Sequence, residues 1–243
     1  MADKKIKFET VEAVETNVAL EKAKGFWAKF SKPIIYIGSA AILLVGAYFA
    51  YKYLYKLPNE EKANDAIFAA EKVYGKMAAT SSFTADSLNL VLKGDKAQGI
   101  TGLLDVIKKY GSTASGNRAN YIVGACYLQQ KDFTNAIKYL KEFDANGANQ
   151  IASKANTMLG YAYCEQKKTD DALSYFKKAA SVAANDESMA AEALFIAGRY
   201  ADEIGKTKDA IELFTQLKEK YQANGRVTGG DVDKYLAKLG VTQ

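Results

Sequence analysis

The chain has 243 residues, of which 49% are hydrophobic, and its lysine and arginine residues exceed its carboxylates by five. It contains no histidine and only two cysteines, so the commonest general base is missing and a zinc site has too few ligands. Both signs of charge are interspersed without a concentrated basic stretch, so we predict no nucleic-acid binding. Because histidine is absent and no catalytic set of residues appears, we also predict no catalytic residue, no metal and no cofactor.

Residues 1–32 are predicted to form a cytoplasmic head with a short amphipathic helix. Val11, Val14 and Val18 fall on one face of such a helix, and Thr10 can cap its start. A helix of this kind would lie along the membrane surface. A partly disordered tail is the alternative, and the sequence leaves the two open.

Residues 33–55 are predicted to form a transmembrane helix. The 18 residues from Ile34 to Tyr51 carry no charge, and about 20 apolar residues in a helix cross the hydrocarbon layer. Tyrosines crowd the far end, as aromatic residues do at a membrane interface. A buried core helix would normally carry a polar stripe, and a cleaved signal peptide would begin earlier and end in small residues. Both remain as alternatives to the anchor.

The side of the membrane on which each part lies follows from the lysines that flank the span. Four precede the uncharged run Ile34–Tyr51 and three follow it, namely Lys22, Lys24, Lys29, Lys32, Lys52, Lys56 and Lys62. Basic residues favour the cytoplasmic side, so the head is predicted in the cytoplasm and the large domain outside it. In a bacterium this gives a single-pass inner-membrane protein with a periplasmic domain.

Residues 56–116 are predicted to be a linker and an atypical first helical unit. Pro58 and Asn59 are expected to end the preceding helix. Apolar spacing then predicts helices over 60–79 and 100–110, with a short ordered piece between them.

Residues 117–225 contain three related repeats. Gly124, Gly160 and Gly198 begin the same pattern, with further matching residues after 3, 12 and 16 positions. The two periods are 36 and 38 residues, where a tetratricopeptide repeat has about 34. The glycine would let two helices cross closely, and an alanine and a larger residue on the second helix would fill the crossing. We predict an all-α, tetratricopeptide-like solenoid of helical hairpins, closed by a C-terminal capping helix within residues 226–243.

The first helices of the hairpins should line a concave groove that binds protein. Spacing places seven candidate residues on that face: Arg118, Tyr121, Leu128, Lys154, Tyr161, Phe195 and Arg199. Aromatic residues beside arginine suit protein contacts, but these aromatics can instead pack between neighbouring helices. The repeat phase of Cys126 and Cys164 differs by two positions, so we expect two separate thiols, although an oxidising compartment would permit a bridge.

This layout resembles a known family. The head with Val11–Val14, the single span and the repeat domain are similar to the bacterial ancillary subunit of the SecYEG translocon. The soluble half resembles tetratricopeptide proteins of Bacteroidetes-type bacteria over 99–110, 120–140 and 231–237. The resemblance implies protein partners, namely the SecYEG translocon, a periplasmic chaperone or a secreted polypeptide. A scaffold for another envelope complex, in outer-membrane assembly or division, is the alternative, and the sequence predicts no oligomeric state.

Overall fold

The structure, a computed structural model, describes the backbone of residues 2–241 and the side chains of residues 18 and 20–241. The chain divides into two units, the first ending at Pro58 and the second beginning at Asn59. The fold is all-α apart from one two-stranded ladder among the described residues, which confirms the predicted fold class.

The first unit contains helix α1, Ala2–Ala50, and a π-helical segment, Tyr51–Lys56. In the described part of the chain, one helix is long and apolar enough to cross a membrane, with a mean hydropathy of 1.9 in its most apolar window. None of that window is buried, and Ile37, Leu43 and Leu44 are each more than 70% exposed. Exposure of so many apolar side chains argues against the core-helix alternative and makes this helix a candidate membrane span.

Two expectations about the first unit are corrected. Helix α1 begins at Ala2, so Thr10 does not start the helix of the head. Pro58 was expected to end a helix, but it lies in the first turn of α2, Leu57–Thr80. The π-helical segment Tyr51–Lys56 runs directly into α2, and its irregular hydrogen bonding accommodates a residue that has no backbone N–H. The side chains of Val11 and Val14, which belong to the predicted apolar face of the head, lie outside the described residues.

Helices α2, α3 (Ala85–Lys93) and α4 (Leu103–Tyr110) form the first part of the second unit. The predicted helix over 100–110 starts three residues late, because Ile100–Thr101 (β2) pairs antiparallel with Gly94–Asp95 (β1). Gly94 has a φ of +75°, and a Cβ there would lie 2.4 Å from the backbone nitrogen of Gly102. Glycine at this position therefore makes the tight ladder possible.

Three helical hairpins follow, as the repeats predict. Their helices are α5 (Ala114–Gln129), α6 (Phe133–Glu142), α7 (Asn149–Glu165), α8 (Thr169–Val182), α9 (Glu187–Glu203) and α10 (Thr207–Lys220). Side-chain oxygens of Thr113, Asp132 and Asp186 accept backbone N–H groups at the starts of α5, α6 and α9. These caps satisfy donors that the first turn of a helix leaves unpaired.

The close helix crossings predicted from the glycines are confirmed. A Cβ at Gly124, Gly160 or Gly198 would lie 2.6, 2.4 or 2.9 Å from the side chain opposite it on the second helix. Those opposing side chains are Leu140, Phe176 and Phe214, and the alanines four residues earlier, Ala136, Ala172 and Ala210, are completely buried. Glycine and alanine are therefore needed at these crossings because no larger side chain fits.

The chain ends with α11 (Gly225–Thr228) and α12 (Asp231–Lys238). Val232 and Leu236 of α12 are buried, and the ring of Tyr235 stacks on that of Phe214 with centroids 4.9 Å apart. Helix α12 thus covers the apolar side of the third hairpin, which no further repeat would otherwise cover.

Candidate protein-binding groove

A cavity of about 650 Å³ opens on the side of the solenoid formed by the first helices of the hairpins, α5, α7 and α9. We call it the groove. Its lining consists of Tyr121, Ser153, Lys154, Thr157, Met158, Asp186, Ser188, Met189, Glu192, Ala193 and Ile196. Most of the exposed lining is apolar, and hydroxyl and charged groups contribute the rest.

The repeat pattern explains how these residues come together. Lys154 and Glu192 each stand six residues before a repeat glycine. Met158 and Ile196 each stand two residues before one, so α7 and α9 present equivalent positions to the same space. Each glycine fixes its helix against the hairpin partner, and stacking of hairpins aligns the free faces of the first helices.

The two carboxylates of the groove are already engaged. Glu192 accepts hydrogen bonds from the Arg226 guanidinium at 3.1 to 3.2 Å. Asp186 accepts the backbone N–H of Met189 at 3.0 Å and the Gln150 side-chain amide at 2.7 Å. Lys154 is exposed and makes no ion pair within the described part of the chain. The groove therefore combines a largely apolar lining with an available ammonium group.

A smaller cavity of about 250 Å³ borders the groove through Ile196. Tyr161 lines it and is 46% exposed, with its ring edge-on to Phe176 at 5.1 Å between centroids. Arg199 and Cys164 also line it. Burial raises the pKa of the Cys164 thiol, so this cysteine is not an activated nucleophile.

Four of the seven predicted groove residues line these two cavities. The structure places Tyr121 and Lys154 in the groove, and Tyr161 and Arg199 in the smaller cavity. Arg118 lies between α2 and α5, where its guanidinium is 3.4 Å from the Glu71 carboxylate. Leu128 is half-buried and lines neither cavity.

Phe195 lies in the core and not on the groove surface. It is 4% exposed, and its ring meets those of Phe214 and Tyr235 at 5.9 and 5.6 Å between centroids. The Arg226 guanidinium covers the ring at 4.3 Å. Phe195 belongs to the last repeat, so no further hairpin covers its ring, and α11 and α12 cover it instead. Phe195 therefore packs between helices, which was the stated alternative to groove binding for these aromatic residues.

Four apolar residues of the groove, Met158, Met189, Ala193 and Ile196, were not among the predicted residues. The shared position of Met158 and Ile196, two before the glycine, is a signal that could have found them. Successive residues of a helix point about 100° apart, so a face predicted from the position three before the glycine did not include this one. Met189 stands near the start of α9 and has no such signal.

The two cysteines are separate free thiols, as predicted. Cys126 is completely buried and its burial raises the thiol pKa to about 12. Among the residues that the structure describes, no group of three or more potential metal ligands comes together.

Comparison with known proteins agrees with this architecture. A model of the tetratricopeptide repeat-like domain family matches residues 24–226. No curated protein matches the chain at a significant level. Domains of this kind are protein-interaction modules, and the match spans most of the 243 residues. The chain therefore belongs to the tetratricopeptide repeat-like domain family.

Proposed function

We propose that this protein is a membrane-anchored interaction module of the Sec translocon, which receives emerging polypeptides and passes them to periplasmic chaperones. In this proposal residues 1–32 are a cytoplasmic head, residues 33–55 span the bacterial inner membrane and the repeat domain is periplasmic. The observation that carries it is the apolar groove on the first helices of the hairpins.

The chemistry of the groove suits an unfolded polypeptide. A chain that leaves a translocon exposes apolar side chains that are later buried. Met158 and Met189 present unbranched thioether side chains, which adapt to ligands of different shape. The exposed ring of Tyr161 beside the groove adds a rigid aromatic contact, and Tyr is enriched at protein interfaces.

Anchoring would strengthen an otherwise weak interaction. A single span holds the repeat domain near the membrane, so its effective concentration beside a translocon is far above its bulk concentration. A groove with few fixed polar contacts can then bind many substrates briefly and release them.

Site-specific photocrosslinking in living bacteria tests the proposal. A photoreactive amino acid replaces Lys154 or Met158 in the groove, and Lys208, exposed on α10, serves as the control position. We expect translocon subunits, secreted polypeptides or periplasmic chaperones to be crosslinked from the groove positions only, as identified by mass spectrometry.

Two results would contradict the proposal. Equal crosslinking from Lys208 and from the groove would remove the groove as the binding site. Recovery of outer-membrane assembly or cell-division proteins in place of secretion components would favour the scaffold alternative. A reporter fused after Gln243 tests sidedness separately, because a reporter that is active only in the cytosol should be inactive there.

A further inference from the structure

Two stacked tyrosine pairs occupy equivalent positions in the first two hairpins. The rings of Tyr127 and Tyr139 lie 5.6 Å apart at 12°, and those of Tyr163 and Tyr175 lie 5.3 Å apart at 9°. Each pair joins the residue 3 positions after the repeat glycine to the residue 15 positions after it. Neither pair lines the groove.

Lysine ammonium groups lie near three of these four rings. Lys138 lies 5.1 Å from the centroid of the Tyr139 ring. Lys141 and Lys168 lie 6.0 and 5.7 Å from that of Tyr163, and Lys178 lies 5.9 Å from that of Tyr175. Lys138 and Lys141 stand three residues apart on α6 and so share a face, which joins the two pairs into one surface. We call these four tyrosines and four lysines the tyrosine–lysine strip.

The lysines of the strip lack carboxylate partners. All four are exposed, and none forms an ion pair among the described residues. Carboxylates also lie nearby: Asp132 caps α6, Glu142 stands four residues after Lys138 on α6, and Asp171 lies close enough to Lys141 to affect its titration. The hydrogen bond to Tyr163 raises the pKa of Lys141, so this ammonium remains charged at neutral pH.

Other lysines of the repeat domain show the contrary arrangement, including Lys177, the neighbour of Lys178 on α8. Lys177, Lys206, Lys218 and Lys238 each form an ion pair with an aspartate on another helix. Unpaired cations gathered beside tyrosine rings form a surface that is complementary to a negatively charged partner. Within the strip, four unpaired lysines lie beside tyrosine rings, which distinguishes them from other unpaired lysines such as Lys154 and Lys208.

We propose that the tyrosine–lysine strip binds an acidic polypeptide segment, at a site separate from the groove. Its cations extend along two hairpins, which matches a row of carboxylates better than a single anion. The large exposed apolar residues of 59–241 are Phe68, Ile151 and Tyr161, and none of them belongs to the strip. The strip therefore lacks the apolar side chains with which a protein surface enters a bilayer.

Binding of a defined acidic peptide tests this inference. The probe is a fluorescent peptide of alternating glutamate, aspartate and glycine, titrated with the full chain in detergent micelles and followed by anisotropy. The strip variant replaces Lys138, Lys141, Lys168 and Lys178 with serine. The control variant replaces the exposed Lys76, Lys93, Lys96 and Lys208 with serine and so has the same net charge.

We expect the strip variant to bind the peptide about tenfold more weakly and the control variant to bind nearly as the wild type, with binding that weakens as salt increases. A third variant, Lys154→Ser, should leave peptide affinity unchanged because Lys154 lies in the groove. Since no groove residue is altered in the strip variant, groove crosslinking should persist in it.

Four results would overturn the inference. They are no binding by the wild type, equal weakening in the strip and control variants, weakening by Lys154→Ser as large as that of the strip variant, and strip-dependent binding of phosphatidylglycerol vesicles without binding of the peptide. The last result would assign the surface to a lipid bilayer.

Discussion

The first two hairpins and the third share one template but use it differently. In all three, a glycine on the first helix meets a large side chain on the second. In the first two, positions around that crossing carry the half-buried Tyr121 and Tyr127 and the buried Tyr163, which contribute to the groove or to the tyrosine–lysine strip. In the third, the corresponding positions carry Phe195 and Ala201, which are buried.

The difference follows from position in the stack. The faces of an inner hairpin that need burial pack against the neighbouring helices on both sides, so the side chains on its remaining faces are available for partners. The last hairpin has no following repeat and must be covered by α11 and α12. Its side chains therefore contribute to closure, which terminal repeats need for solubility.

The largest expected effect comes from the equivalent positions of Tyr121 and Phe195. Phe195→Ala should destabilise the domain by about 3–5 kcal/mol, because the ring is buried among Phe214, Tyr235 and Arg226. Tyr121→Ala should cost about 1–2 kcal/mol, because Tyr121 is half-buried beside the groove. Urea unfolding of the full chain in mild detergent, followed by circular dichroism, measures both. Equal losses would contradict the distinction between inner and terminal hairpins.

The glycine crossings predict a smaller effect. At Gly160 an added methyl would lie 2.4 Å from the Phe176 ring, and at Gly198 it would lie 2.9 Å from the Phe214 ring. Gly160→Ala should therefore cost about 1–3 kcal/mol and Gly198→Ala less. Gly75→Ala on α2 is the control, because no atom lies within 4 Å of the new Cβ. It should stabilise the domain by up to about 1 kcal/mol through helix propensity. Stabilisation by Gly160→Ala would show that the crossing is not tight.

Two arginines give the next comparison. Arg226→Met should cost about 1–2 kcal/mol, because it removes the hydrogen bonds to Glu192 and the cation over the Phe195 ring. Arg118→Met in the first hairpin should cost less than about 1 kcal/mol, because its pair with Glu71 is largely exposed. Thermal unfolding of the two variants side by side measures the difference, and a larger loss for Arg118→Met would contradict it.

The smallest effect concerns the pair of Lys177 and Asp209. The hydrogen bond from Lys177 lowers the Asp209 pKa. The stability that this ion pair contributes is therefore present above the ordinary pKa of aspartate, and it is lost as pH falls through the lowered value. Asp209→Asn should cost at most about 1 kcal/mol at neutral pH, because solvent screens the pair, and nothing in strong acid. Unfolding at both pH values checks the sign, and Asp65→Asn on α2, at an exposed carboxylate, is the control. A loss that persists in acid would show that the ion pair is not its cause.

The sequence by itself determined the repeats, their closest crossings and the apolar stretch. Gly124, Gly160 and Gly198 could be recognised because an interhelical crossing permits only the smallest side chains, and such a constraint leaves a periodic trace. The uncharged stretch from Ile34 to Tyr51 was equally evident, because crossing a bilayer requires about 20 apolar residues.

Only the tertiary structure decided which periodic side chains are free. Tyr121 and Phe195 stand at the same repeat position, yet one borders the groove and the other is buried under Tyr235 and Arg226. Likewise, spacing could not show that Lys177 meets an aspartate while Lys178 meets a tyrosine ring. A helical period fixes the face of its own helix on which a residue lies, but the neighbouring helices determine whether that face is covered, paired or open.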